Sequence, residues 1–147
     1  MFRLNIQKGD CIITNSEHVN MIAIIIILIL IPFLVGTFFL GWQRAINIKH
    51  KDSDLQRQCF IGYSWTYFLF GFFVPIFRGE IVIGIVHAVF AFITFGLFQL
   101  IMPFLYNKQH AVRMLTNSWV LDDSPDMNKL ACEKIGIKYD DDITMND

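Results

Sequence analysis

An uncharged apolar run near the N-terminus constrains this chain more than any other feature. Residues 19–42 are VNMIAIIIILILIPFLVGTFFLGW and contain no ionisable side chain. A helix needs about 20 apolar residues to cross a hydrocarbon core about 30 Å thick. A cleaved signal peptide has a shorter apolar core, of about 7 to 15 residues, followed by small residues at the cleavage site. This run ends instead on Leu40 and Trp42, so we predict an uncleaved transmembrane helix.

The composition extends this prediction to the middle of the chain. Hydrophobic residues make up 54% of the sequence and charged residues only 17%, against roughly 25% charged in soluble proteins. Between residues 60 and 106 the only charged or histidine side chains are those of Arg78, Glu80 and His87. The apolar residues there are too continuous to form one face of amphipathic elements. The predicted partner is the lipid bilayer, and the lack of a basic stripe argues against nucleic acid.

Two further apolar runs, at residues 59–77 and 81–106, stand on either side of a tight turn at 78–80. The second run is long enough to span. In the first, only about 13 residues suit the deep core, which corresponds to about 20 Å of helix. That run either crosses a locally thinned bilayer or forms a re-entrant hairpin that does not cross. We expect an all-α membrane protein with three transmembrane helices, an N-terminal anchor followed by a helical hairpin.

The remaining segments are more polar. We expect a tail at residues 1–18, a cytoplasmic loop at 43–58 and a short soluble tail at 107–147. Within that last segment Ser124 suits a helix N-cap and Gly136 suits a helix end. We therefore predict one small helix between them.

The predicted orientation follows from charge and from interfacial aromatic residues. Three spans place the loop and the C-terminal tail on one side, which carries six Lys or Arg residues near the membrane against three on the other. This favours a cytoplasmic loop and tail and an outer N-terminus in the inner membrane. A re-entrant middle run would move the tail outside, so we prefer three full spans. The interfacial aromatic residues agree, because they all lie at predicted cytoplasmic span ends: Trp42, Tyr63, Trp65, Tyr67 and Tyr106.

Catalytic, cofactor-binding and metal-binding patterns are not found in the sequence. Cys11, Cys59 and Cys132 are far apart and lack metal-ligand spacing, so we expect free thiols. The acidic run at 140–142 lacks the alternating ligands of a calcium loop and is typical of a solvated tail.

His87 is the intramembrane polar candidate, because ionisable residues inside spans are often functional. The simpler explanation is a neutral imidazole hydrogen-bonded to Ser64, Thr66 or Gln99 of a neighbouring helix.

The turn at 78–80 offers a second candidate. Arg78 and Glu80 flank Gly79, and an ion pair across it would fix a tight helical hairpin; recognition of a lipid phosphate or a partner by Arg78 is the alternative. The small-residue pair of Gly84 and Ala88 favours close helix packing, so a homo-oligomer or another membrane protein is a candidate partner.

A longer pattern joins the two apolar runs. The segment WTYFLFGFFVPIFRGE at residues 65–80 is followed by FLYNK at 104–108. Over about residues 60–135 the chain resembles small bacterial and phage membrane proteins of the HrgC host-range type, with Glu80 and Leu105 in place of the usual Asp and Phe. The resemblance implies a membrane module, a phage or prophage setting and no catalytic residues. The residues that carry it are Trp65, Gly71, Pro75, Arg78, Gly79, Glu80, Tyr106, Asn107 and Lys108.

These patterns favour a non-enzymatic accessory protein that acts by association, in host range or host-membrane modification. The alternative is a holin-like oligomeric pore former. A membrane enzyme that uses His87 is a third hypothesis.

Overall fold

The computed structural model describes residues 10–139, with side chains from residue 18 onward. Residues 1–9 of the predicted tail lie outside the described residues, as do the side chain of Cys11 and the acidic run at 140–142, whereas residues 10–18 of that tail form the start of the first helix. Most of the described chain is helical, and a small sheet accompanies the helices. The elements in chain order are α1 Asp10–Leu40, β1 Arg44–His50, β2 Gln56–Ile61, α2 Trp65–Phe70, α3 Phe73–Phe77, α4 Ile81–Ile93, α5 Leu97–Ile101, a 3₁₀ turn Met102–Phe104, α6 Tyr106–Thr116, β3 Trp119–Leu121 and α7 Pro125–Ile135.

Helix α1 has the expected length and polarity of a membrane span. Among residues 10–139, His18–Leu40 is the one continuous helix long and apolar enough to cross a membrane, with a mean hydropathy of 3.0. Its 23 residues correspond to about 35 Å at 1.5 Å per residue. Most of its side chains are exposed, so the rest of the protein does not cover it.

A three-stranded sheet with the order β2-β1-β3 corrects the all-α prediction. Strands β1 and β2 form an antiparallel hairpin within the segment predicted to be a loop, and β3 from the C-terminal tail pairs with the other edge of β1. The reason is the alternation of apolar and polar residues along β1, where Ile46 and Ile48 are buried while Asn47 between them is exposed. That period of two is typical of a half-buried strand.

Helices α6 and α7 complete a small folded unit on this sheet. We call residues 44–61 and 106–137 the sheet domain. The predicted small helix is confirmed, since α7 starts after Ser124 and ends at Gly136, which has a left-handed backbone. The soluble tail is thus part of a packed core, whose buried members are Ile46, Ile48, Cys59, Ile61, Ala111, Leu121, Ala131, Cys132 and Ile135.

The two later apolar runs form bent hairpins and not single long helices. Helices α2 and α3, which we call hairpin A, have six and five residues and so extend about 9 and 8 Å. Helix α4 and the segment from α5 through the 3₁₀ turn, which we call hairpin B, meet at an angle of 120°. Positive φ angles break the helices, at Gly71 in hairpin A and at Phe95 and Gly96 in hairpin B.

Both hairpins begin and end beside the sheet domain, and the predicted arrangement of three full spans is not confirmed. Glu80, at the start of hairpin B, lies 3.3 Å from the hydroxyl of Tyr106, which directly follows that hairpin's end region. The guanidinium of Arg78, at the end of hairpin A, lies 4.8 Å from the ring centre of Phe60 on β2. Two ends in contact cannot lie on opposite faces of a bilayer about 30 Å thick. Each hairpin therefore leaves the sheet domain and comes back to it.

Candidate functional site at the junction of hairpins and sheet domain

The carboxylate of Glu80 is the centre of a polar cluster between hairpin B and α6. Arg113 donates two hydrogen bonds to it, from Nε to Oε1 and from an Nη to Oε2, both at 2.8 Å. His110 Nδ1 lies 3.2 Å from Oε1, and the hydroxyl of Tyr106 donates to Oε2 at 3.3 Å. The three α6 residues reach one carboxylate because spacings of four and three residues place side chains on one helix face. We call these four residues the Glu80 cluster.

The environment of the cluster fixes its charge states. Burial by itself would raise the pKa of Glu80, but the hydrogen bonds from Arg113, the nearby His110 and the charge of Arg113 together lower it to about 2. Burial lowers the pKa of His110, against the opposing effect of Glu80. The hydrogen bond to Glu80 raises the pKa of Arg113. At neutral pH the cluster is therefore a carboxylate, a guanidinium and a neutral imidazole.

We expect acid to weaken this cluster. A carboxylate whose pKa is depressed in the folded state stabilises the fold above its ordinary value of 4.5, and this contribution is lost as the pH falls toward 2. Thermal unfolding of wild type and Glu80→Gln in detergent between pH 7 and 3 measures it. The advantage of the wild type should shrink below about pH 4.5. An advantage that stays constant down to pH 3 would contradict this assignment.

Arg78 forms different contacts from those predicted. The expected ion pair between Arg78 and Glu80 is not formed, because Tyr106 and Arg113 of α6 donate hydrogen bonds to the Glu80 carboxylate. Arg78 donates instead from an Nη to Asn107 Oδ1 at 3.3 Å, and the central carbon of its guanidinium lies over the rings of Phe60 and Tyr106, 4.8 and 5.0 Å from their centres. Asn107 in turn donates to the carbonyl of Gly62 at 3.2 Å. The end of hairpin A is thereby fixed to both β2 and α6.

The other residues of the sequence pattern shape the hairpins. Gly79 has φ +85° and no neighbour that a Cβ would touch, as the predicted tight turn requires. Gly71 packs on the amide of Gln99, where a Cβ would lie 2.5 Å from Oε1. Pro75 is buried in hairpin A. Trp65, at the start of α2, is half-buried, and Lys108 on α6 is exposed.

His87 is buried, with 7% of its surface exposed, and its hydrogen-bond partner is a residue that the sequence did not suggest. The hydroxyl of Tyr67 lies 2.9 Å from Nδ1, and the rings of Phe98 and Tyr106 pack edge-on against the imidazole. The predicted partners Ser64, Thr66 and Gln99 are therefore wrong. The surroundings support a packing role for this histidine.

The cysteines and acidic groups do not form a metal site in the described chain. Cys59 and Cys132 are free and buried in the sheet-domain core. Burial raises the pKa of the Cys59 thiol to about 11, so it stays protonated. Among the described residues no three His, Cys, Asp or Glu side chains are grouped to hold a metal ion.

Sequence reasoning found half of the Glu80 cluster and missed the other half. Glu80 and Tyr106 belong to the sequence pattern, whereas His110 and Arg113 lie in the segment that was predicted only to be a soluble tail. A signal was present, because Tyr106, His110 and Arg113 share a face of α6. That face identifies the residues but not their partner on hairpin B.

Comparison with known proteins adds no relative: no family model, curated protein or solved structure matches this chain. The resemblance to host-range proteins stays a prediction. Four of the residues that carry it do come together at the junction, namely Arg78, Glu80, Tyr106 and Asn107.

Proposed function

We propose that this protein is a non-enzymatic accessory protein of the inner membrane, in which a membrane-embedded base holds the sheet domain against the cytoplasmic surface to bind a partner protein. Helix α1 crosses the bilayer, and hairpins A and B enter it from the domain side and return. The observation that carries the proposal is the Glu80 cluster together with Arg78, because these residues join both hairpins to the sheet domain at one level of the molecule.

The exposed surface of the hairpins supports the membrane setting. Phe77, Phe92 and Phe95 are 82, 78 and 98% exposed, and other large apolar side chains surround them. Soluble monomers rarely expose contiguous apolar patches larger than a few hundred Å². Lipid tails would cover these side chains, while the charged junction lies at headgroup level.

Charge supports the cytoplasmic orientation. Four Lys or Arg residues follow α1 within the next 17 positions, at 44, 49, 51 and 57, and two precede it, at 3 and 8. Three full spans would put Arg78 on the outer side. Because Arg78 contacts Phe60 of the sheet domain, the proposed arrangement counts it with the four basic residues that follow α1. The positive-inside rule then favours an outer N-terminus. The resemblance to host-range proteins supports a phage or prophage setting.

The accessory role has better support than the two other hypotheses. A holin-like pore needs polar faces to line a channel, and α1 from residue 21 to 36 is uniformly apolar. An enzyme that uses His87 needs access for substrate, and this ring is enclosed by Tyr67, Phe98 and Tyr106.

Cysteine labelling tests the topology. In a Cys11→Ser background the native Cys59 and Cys132 are buried, so single cysteines at His18, Ser53 and Gly79 report on exposed positions. We expect an impermeant maleimide to label His18→Cys from outside the cell. It should label Ser53→Cys and Gly79→Cys only after the cytoplasmic side is opened. Labelling of Gly79→Cys together with His18→Cys would restore the three-span arrangement and overturn the proposed base.

A further inference from the structure

A groove of about 360 Å³ runs from the junction along the side of hairpin A. Most of its lining is apolar, from Phe60, Phe70, Val74 and Phe77. Its polar members are Gln43, Thr66 and Arg78. Phe70 and Phe77 are exposed and belong to the apolar surface that the proposed placement puts in lipid.

Arg78 brings a positive charge to the groove and forms no salt bridge among the residues that the structure describes with side chains. Among residues 18–139 no carboxylate lies within 4 Å of the Arg78 guanidinium to form an ion pair, because the nearby Glu80 is held by Arg113. The guanidinium has five N–H donors, and its described hydrogen bond is one long contact to Asn107 at 3.3 Å. Its central carbon lies 4.8 and 5.0 Å from the ring centres of Phe60 and Tyr106, and the N–H groups that do not bond Asn107 are the candidate donors to an anion.

The amide of Gln43 adds hydrogen-bonding capacity to the same groove lining. The hydroxyl of Thr66 donates to Gln43 Oε1 at 3.4 Å. This contact orients the Gln43 side chain and leaves its amide nitrogen to donate. The Gln43 amide is therefore a second candidate donor in the groove that contains Arg78.

We propose that this groove binds an anionic phospholipid, with the phosphate at Arg78 and one acyl chain along Phe70, Val74 and Phe77. The inference rests on the proposed membrane placement. Arginine binds phosphate well because its planar fork donates two parallel hydrogen bonds. A free phosphate would leave the apolar walls unfilled, whereas a membrane lipid supplies the anion and the hydrocarbon together.

Lipid retention measured by native mass spectrometry tests the site on the full-length protein. Phosphatidylglycerol and phosphatidylcholine are titrated into the protein in mild detergent. We expect wild type to retain phosphatidylglycerol in preference, and Arg78→Gln to lose that preference by about tenfold, since hydrogen bonds to charged groups contribute at this level. Arg44→Gln removes an exposed charge next to α1 and is the matched control, which should retain the lipid. Equal losses in both variants would overturn the proposal.

Four further measurements distinguish the possible outcomes. Arg78→Lys should bind more lipid than Arg78→Gln, and Phe77→Ala should bind less than wild type with unchanged melting, because Phe77 is 82% exposed. If both bind like wild type, the site is wrong. Displacement of the lipid by millimolar inorganic phosphate would instead identify a soluble phosphate as the ligand. Failure to float with phosphatidylcholine vesicles would contradict the membrane placement itself, and flotation without any effect at Arg78 would contradict only the lipid site.

Discussion

Glu80→Gln is expected to lower the free energy of unfolding by about 2 to 3 kcal/mol, the range for a hydrogen-bonded charged group that loses its charge in a partly buried site. The amide keeps the shape of the side chain but leaves Arg113 without a counter-ion. It also accepts at only one of the two positions to which Arg113 donates at 2.8 Å. Unfolding in mixed micelles, followed by tryptophan fluorescence, measures the change.

Asp54→Asn is the matched control for this substitution. Asp54 forms an ion pair with Lys49 at 3.0 Å, but 80% of its side chain is exposed. Exposed pairs contribute about 0 to 1 kcal/mol. A double-mutant cycle with Arg113→Gln then isolates the pair: the second substitution should add little once Glu80 has been changed. Fully additive effects, or equal effects for Glu80→Gln and Asp54→Asn, would show that the Glu80 cluster does not hold the hairpins to the sheet domain.

Gly62→Ala is expected to destabilise the protein even more strongly, by about 3 kcal/mol or more. Gly62 follows β2 with φ +84°, and an added Cβ would lie 2.6 Å from the carbonyl oxygen of Trp42. That oxygen belongs to the backbone, which cannot rotate away as a side chain would. The substitution would disturb the contact between the end of β2 and the backbone that follows α1. It would also disturb the hydrogen bond that Asn107 donates to the carbonyl of Gly62.

Gly79→Ala separates backbone strain from the close approach. Gly79 has φ +85°, almost the angle of Gly62, and a Cβ there would have no neighbour within 4 Å. It should show only the conformational penalty of about 1 to 2 kcal/mol for a left-handed alanine. The difference between the two variants reports the contact with Trp42. If Gly62→Ala and Gly79→Ala lower the free energy of unfolding equally, the close approach of Gly62 to Trp42 does not contribute to the destabilisation.

The sequence predicted those elements whose signals are local. Helix α1 follows from an uninterrupted apolar run, and α7 follows from Ser124 and Gly136 at its ends. Strand β1 also had a local signal, the alternation around Ile46 and Ile48, which was outweighed by the polar flanks of the segment. Short strands of this kind are decided by what covers one face, here α6 and α7.

The direction of the hairpins could not be predicted from local signals. The break at Phe95 and Gly96 shows that a helix ends, but not whether the chain continues across the membrane or returns. The return depends on contacts between Glu80 and Arg113, which are 33 residues apart. Phe95 has φ +50°, a conformation that its residue type does not suggest. The same reason explains why only Glu80 and Tyr106 of the Glu80 cluster were predicted. A sequence pattern identifies residues, but the contacts between them depend on the three-dimensional fold.

The connection between α1 and β1 limits where this protein can act. Only residues 41–43 separate the end of the helix from the first strand, a reach of about 10 Å when extended. The connection is also fixed, since the backbone amide of Tyr63 donates to the carbonyl of Gly41 at 3.1 Å. A long flexible tether would let a domain search a wide volume. In the orientation proposed above, this short connection would keep the sheet domain in a thin layer next to the headgroups, so the proposed partner would have to be held at the membrane or be recruited to it.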